Sequence, residues 1–126
     1  MIDLVFVDNS FFLRKLYPDG LNIEGEISEV VFSNEGPSLI ISFHLKKMPK
    51  EKPKKWSQKT NTILLTLEFI EFDSFEFNTW GTKNSVKLDH KKEGKFHSID
   101  IKGDNCNLKF QSKWINMKKI SPYVSM

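Results

Sequence analysis

The chain has 126 residues, a net charge of +3, and 39% hydrophobic and 13% aromatic residues, eleven of them Phe. That length suits one domain around one core, and the composition excludes disorder. No apolar run approaches the roughly 20 residues of a membrane helix. The opening Met1-Ile2-Asp3-Leu4-Val5-Phe6-Val7-Asp8 places acids where an export signal has bases, and the single Cys106 leaves no intramolecular disulfide. A cytoplasmic protein is expected, as a single β-rich domain over residues 1–126.

Charge is unevenly divided along the chain. Residues 1–45 hold seven acids against Arg14 and Lys15, a net of −5, and residues 60–82 hold four acids and no base. Residues 46–59 and 83–126 each carry a net of +6. Such a division gives a bipolar surface, unless strand pairing interleaves the segments and cancels the fields.

In chain order, Asp8 to Leu16 reads as one short helix, capped by Asp8, Asn9 or Ser10 and stopped by Pro18. After Pro18-Asp19-Gly20, Glu26 to Phe32 reads as a strand, and Asn34-Glu35-Gly36-Pro37 turns the chain into a hairpin. Its second arm has Leu39, Ile41, Phe43 and Leu45 on one face and Ile40, Ser42, His44 and Lys46 on the other, which is strand period. Residues 46–59 contain Pro49, Pro53 and seven lysines, and are expected to be an exposed loop separating two sheet-forming halves.

Alternation resumes from Ile63 to Phe72 and continues after a bend through Phe75 and Phe77. Ser85–Asp89, Phe96–Lys102 and Asn107–Trp114 follow as strands, with Ile115–Ile120 as a lysine-flanked last edge strand before Pro122. About seven strands on short turns, with one N-terminal helix, predict a mostly β fold: an antiparallel meander forming a sandwich, half-barrel or curved sheet.

The residues supply no catalytic constellation. A phosphate loop, a nucleophile elbow and a dinucleotide fingerprint are all missing. His44, His90, His97 and Cys106 lack short ligand spacing, so neither a metal nor another cofactor is expected. The strand acids Glu68, Glu71, Asp73 and Glu76 read as a solvated face, not as a glycosidase pair. Lys50, Lys52, Lys54 and Lys55 surround Trp56, and such a basic and aromatic pairing is one that nucleic-acid modules use. The plainer reading folds Trp56 back as a hydrophobic anchor. Trp80 and Trp114 end apolar strands, where a core or core-rim position is the default and an exposed anchor the sharper alternative.

Leu16-Tyr17-Pro18-Asp19-Gly20, the turn Gly36-Pro37-Ser38-Leu39, and Pro53-Lys54-Lys55-Trp56 leading into Leu65-Thr66-Leu67-Glu68-Phe69 follow one another in this order. With them the chain, from about Leu13 to Tyr123, resembles the immunity protein 50 family of bacterial polymorphic toxin systems. The resemblance implies a mostly β, non-catalytic domain that binds and neutralises a cognate toxin in the cytoplasm. If that toxin has a basic groove, the acids Glu24, Glu26, Glu29, Glu68, Glu71, Asp73 and Glu76 are the candidate toxin-binding residues, with Trp80 as anchor. If the toxin is acidic, Lys50, Lys52, Lys54, Lys55 and Trp56 become the candidates. Two other readings use the same residues: a nucleic-acid-binding β module built on the lysine loop, and a carbohydrate-binding or hydrolytic β domain built on Trp80 or Trp114.

Overall fold

A computed structural model describes residues 1–34, 36–45 and 47–124. Glu35, expected in the hairpin turn, and Lys46, expected at the start of the lysine loop, lie outside the described residues. The fold is mostly β, as the alternating patterns predict. β1 is Val7–Asp8, α1 is Phe11–Leu16, β2 is Glu24–Ser33 and β3 is Ser38–Leu45. β4 is Thr62–Phe77, β5 is Ser85–Glu93, β6 is Phe96–Gly103 and β7 is Asn107–Tyr123.

The seven strands form one sheet in the order β1-β7-β4-β3-β2-β5-β6, and β6 also pairs with β7. That last pairing closes six strands into a ring. Every pair in the ring is antiparallel, and the two-residue β1 adds to β7 in parallel, with Val7 opposite Ile115. The sheet is therefore mixed by one short strand that the sequence pattern does not announce.

Period-two alternation fills the ring. Leu39, Ile41, Phe43 and Leu45 of β3 are buried and face Phe69, Leu67, Leu65 and Ile63 of β4 in register. Ile99, Ile101, Leu108 and Phe110 complete the wall from β6 and β7, and the N-terminal residues Ile2, Leu13, Leu21 and Ile23 join the same buried cluster.

Three sequence expectations change. The lysine segment does not separate two halves of a sheet, because the strands on either side of it pair along their length, from Ser38 opposite Ile70 to Leu45 opposite Ile63. Ile115–Ile120 is not an edge strand of its own but the continuation of β7, which pairs with β4 up to Tyr123 opposite Thr62 and includes Pro122. The helix is shorter than expected, since Asp8 pairs with Asn116 and Asn9 turns the chain with φ 62°. Ser10 precedes α1 without a side-chain cap, its hydroxyl donating instead to the Leu4 carbonyl.

Gly25 shows how tightly β2 is held between its neighbours, opposite Leu45 on one side and Val86 on the other. A Cβ there would lie 1.9 Å from the His44 carbonyl oxygen. Gly25→Ala should cost about 3 kcal/mol, the upper end of overpacking costs. An unchanged thermal midpoint would show that β2 and β3 separate freely at this point.

Candidate functional site

β4 departs from regular strand geometry exactly where its inner neighbour ends. β3 pairs with β4 only as far as Ile70, and the Glu71 N–H then donates to the Gly36 and Pro37 carbonyls at 3.3 and 2.9 Å. Glu71 and Ser74 take φ of 52° and 53°, and the register with β7 shifts between Asp73 and Glu76. From Phe72 to Phe77 the strand keeps β7 on one edge and, among the described residues, has no strand on the other.

β2 is open in the same way. It pairs with β5 only through Glu24, Gly25 and Glu26, and its last link on that side is Ile27 N–H to the Asn84 carbonyl at 2.9 Å. Over Ser28–Phe32 no strand pairs that edge among the described residues.

Aromatic rings bridge the gap that backbone hydrogen bonds leave. The Phe32 ring of β2 lies 5.9 Å from Phe72 and 5.2 Å from Phe75 of β4. Phe75 in turn meets Phe77 at 6.4 Å, and Phe77 meets Trp80 at 6.0 Å. The ladder is fixed at its inner end, where Phe75 lies 6.0 Å from buried Phe110 and Phe110 lies 4.9 Å from buried Phe69. Its outer end is open to solvent: Phe32, Phe77 and Trp80 are 59%, 49% and 46% exposed. Neighbouring exposed rings of this kind are the composition of an interface core, since aromatics bury large area at low rotamer cost.

The predicted acidic residues divide between this seam and other places. Glu71, Asp73 and Glu76 are exposed on the same half of β4, with Trp80 just beyond it. Glu71 pairs with Lys113 at 3.7 Å, and Glu76 stands opposite Lys109. Among the described residues Asp73 and Glu76 form no ion pair. Glu29 is exposed on β2 within its open stretch. Glu68 lies on the outer face opposite Ile40 and accepts a hydrogen bond from the Asn116 amide at 3.3 Å. Glu24 and Glu26 sit at the other end of β2, and Lys87 and Lys102 stand in line between Glu24 and Asn107. The ring thus interleaves acidic and basic segments, and the seven acids do not form one continuous face.

Sequence reasoning named Trp80 as a candidate anchor and left out Phe32, Phe72, Phe75 and Phe77. Within strand patterns such phenylalanines read as ordinary core. The missing signal was partner count: β4 is eight residues longer than β3, so its far half cannot be covered by the hairpin that precedes it.

In the lysine segment, Lys50, Lys52, Lys54 and Lys55 are exposed. Lys50 approaches Asp19 at 3.8 Å, and Lys52 donates to the Thr60 carbonyl at 2.6 Å. Trp56 is only 8% exposed and packs edge-on against Phe12 at 6.3 Å. It is the hydrophobic anchor of the loop and no part of a basic surface. Trp114, in contrast, is half-exposed with Lys113 Nζ 4.7 Å over its ring.

The titratable groups are dispersed. Cys106 is fully buried, and desolvation pushes its thiol up, which keeps it protonated and unreactive. His44 Nδ1 bonds the Tyr123 hydroxyl. His90 Nε2 lies 2.8 Å from His97 Nδ1, with the Phe6 ring 5.9 and 5.5 Å from the two imidazoles. Desolvation by burial, followed by the neighbouring His90 and Lys92, pushes His97 down to about 4, and desolvation also lowers His90. Among the described residues no three His, Cys, Asp or Glu side chains gather as metal ligands. No helix among them is long and apolar enough to cross a membrane.

Fold and surface together define a small β-barrel with an open seam, where exposed aromatics are edged by carboxylates. The family model for Immunity protein 50 matches residues 13–123, most of the chain. The chain belongs to that family. No curated protein and no solved structure matches it.

Proposed function

We propose that this chain is a single-domain, non-catalytic immunity protein of a bacterial polymorphic toxin system, which binds and neutralises its cognate toxin in the cytoplasm. Family membership supports the toxin as partner. The observation that carries the docking surface is the Phe32–Phe75–Phe77–Trp80 ladder, three of whose rings are about half exposed and are joined ring to ring. Exposed Phe11 and Trp114 differ in carrying a lysine ammonium over the ring, from Lys15 and Lys113. Exposed Glu29, Asp73 and Glu76 form the polar rim and give the surface a preference for a basic partner, raising the association rate. An interface of standard size, roughly 1,200–2,000 Å² in total, would cover the seam and the acids beside it.

The test is co-purification with an inactivated form of the toxin encoded beside this chain, together with rescue of cells expressing the active toxin. The triple variant Phe32→Ser, Phe77→Ser and Trp80→Ser should weaken binding about 100-fold or more, as loss of central aromatic anchors does, and abolish rescue while still folding. Full affinity in the triple variant would move the docking surface away from the seam. Failure of the native chain to bind or rescue would remove the immunity reading.

A further inference from the structure

The open edge of β2 has a defined hydrogen-bonding polarity. Because Glu71 N–H bonds the Pro37 carbonyl, the alternation of an antiparallel ladder directs the backbone groups of Leu39 and Ile41 toward β4. Their partners across β3's other edge, Phe32 and Val30, therefore turn N–H and C=O away from β3. Val31, opposite Ile40, turns its own toward β3. The free edge thus presents the backbone groups of Val30 and Phe32 to the seam.

Natural sheets protect such edges with lysine, proline or a covering element. Ser28-Glu29-Val30-Val31-Phe32 contains neither lysine nor proline, no strand pairs its outer edge among the described residues, and the Phe32 ring it carries lies against Phe72 and Phe75 of β4.

We propose that this edge is a strand-addition site, filled by an extended segment of the toxin that alternates apolar and basic side chains. The proposal rests on the immunity reading and adds its mode. Main-chain hydrogen bonds to Val30 and Phe32 supply register and affinity, while alternate side chains supply specificity. One set of side chains lies on the face that carries Phe32, against Phe72 and Phe75. The other lies on the outer face, where Glu29 selects a lysine or arginine. A second copy of this chain is a poorer occupant: a two-fold pairing of β2 edges centred on Val31 sets Glu29 opposite Ser33 and offers its carboxylate no basic partner.

The experiment is residue-resolved amide exchange on the intact chain, free and bound to the inactivated toxin. Val30 and Phe32 amides should exchange at least tenfold more slowly in the complex. The Val31 amide, already bonded to β3, should change less. A complex in which Val30 and Phe32 exchange as in the free chain overturns strand addition and leaves the immunity reading standing. Protection of both amides in the free chain that rises with its concentration would assign the edge to a second copy and overturn the proposal. Absence of any complex would overturn both readings together.

Discussion

Replacing Phe69 with alanine should lower the stability of this chain by about 3–5 kcal/mol, the usual cost of truncating a buried Phe. Phe69 is fully buried in β4, faces Leu39 of β3 and Ile115 of β7, and meets Phe110 edge-on at 4.9 Å. Both strands that flank β4, β3 and β7, therefore lose contacts at once. Against a typical total of about 5–15 kcal/mol this is a large fraction, and for a chain of this size it corresponds to a fall of roughly 12–20 °C in the thermal midpoint. Phe32→Ala, which removes a mostly exposed ring, should cost about 1 kcal/mol or less. Similar midpoints for the two variants would show that the ladder, not the ring interior, holds the fold.

Acidification from pH 6.5 to 4 should destabilise the chain by roughly 3 kcal/mol through His97 alone, since one pKa unit is about 1.4 kcal/mol. His97 is 4% exposed, donates to or accepts from His90 at 2.8 Å, and lies under Phe6. Its folded pKa is pushed down to about 4 by desolvation first, then by His90 and Lys92, with Asp8 opposing. His90 shifts the same way, through desolvation, with Asp3 opposing and the N-terminal amine and Lys92 adding to the lowering. The unfolded chain then binds more protons than the folded one between about pH 4 and 6.5, so stability must rise with pH across that window. The contribution is complete above the unfolded pKa and is lost as pH falls toward 4. Urea midpoints measured across the window should show this slope, and His97→Gln should flatten it. A native chain with no slope above pH 5 would mean that the imidazoles are charged in the fold.

Much of the barrel was legible in the residues, for a physical reason. Leu39 to Leu45 and Ile63 to Phe69 alternate because one face of each strand is buried, and burial is what the alternation records. The last edge strand was misread because Asn107–Tyr123 is one strand with different partners in its two halves, and periodicity carries no information about partners. β1 was invisible because two residues have no period.

At the candidate seam, Trp80 and the acids of β4 were singled out by residue type, but the Phe ladder was hidden by the rule that apolar alternation means core. Phe75 obeys that rule and Phe32 and Phe77 do not. What separates them is the length mismatch between β3 and β4 and the bends at Glu71 and Ser74, which are properties of pairing, not of composition.

β7 has a further consequence, for the order in which the chain assembles. It pairs with β1, β4 and β6, joining Val7 to Ile115, Thr62 to Tyr123 and His97 to Ser112. The hairpin with β6 is local, but the pairs with β1 and β4 lie far apart in sequence, so loop-closure entropy opposes those until most of the other pairs are in place. Folding in the millisecond-to-second range is the expectation for such topology. Until β7 docks on β4, the facing edges of both strands stand open to other chains, so the rate of that docking sets how long a nascent molecule is exposed to mispairing.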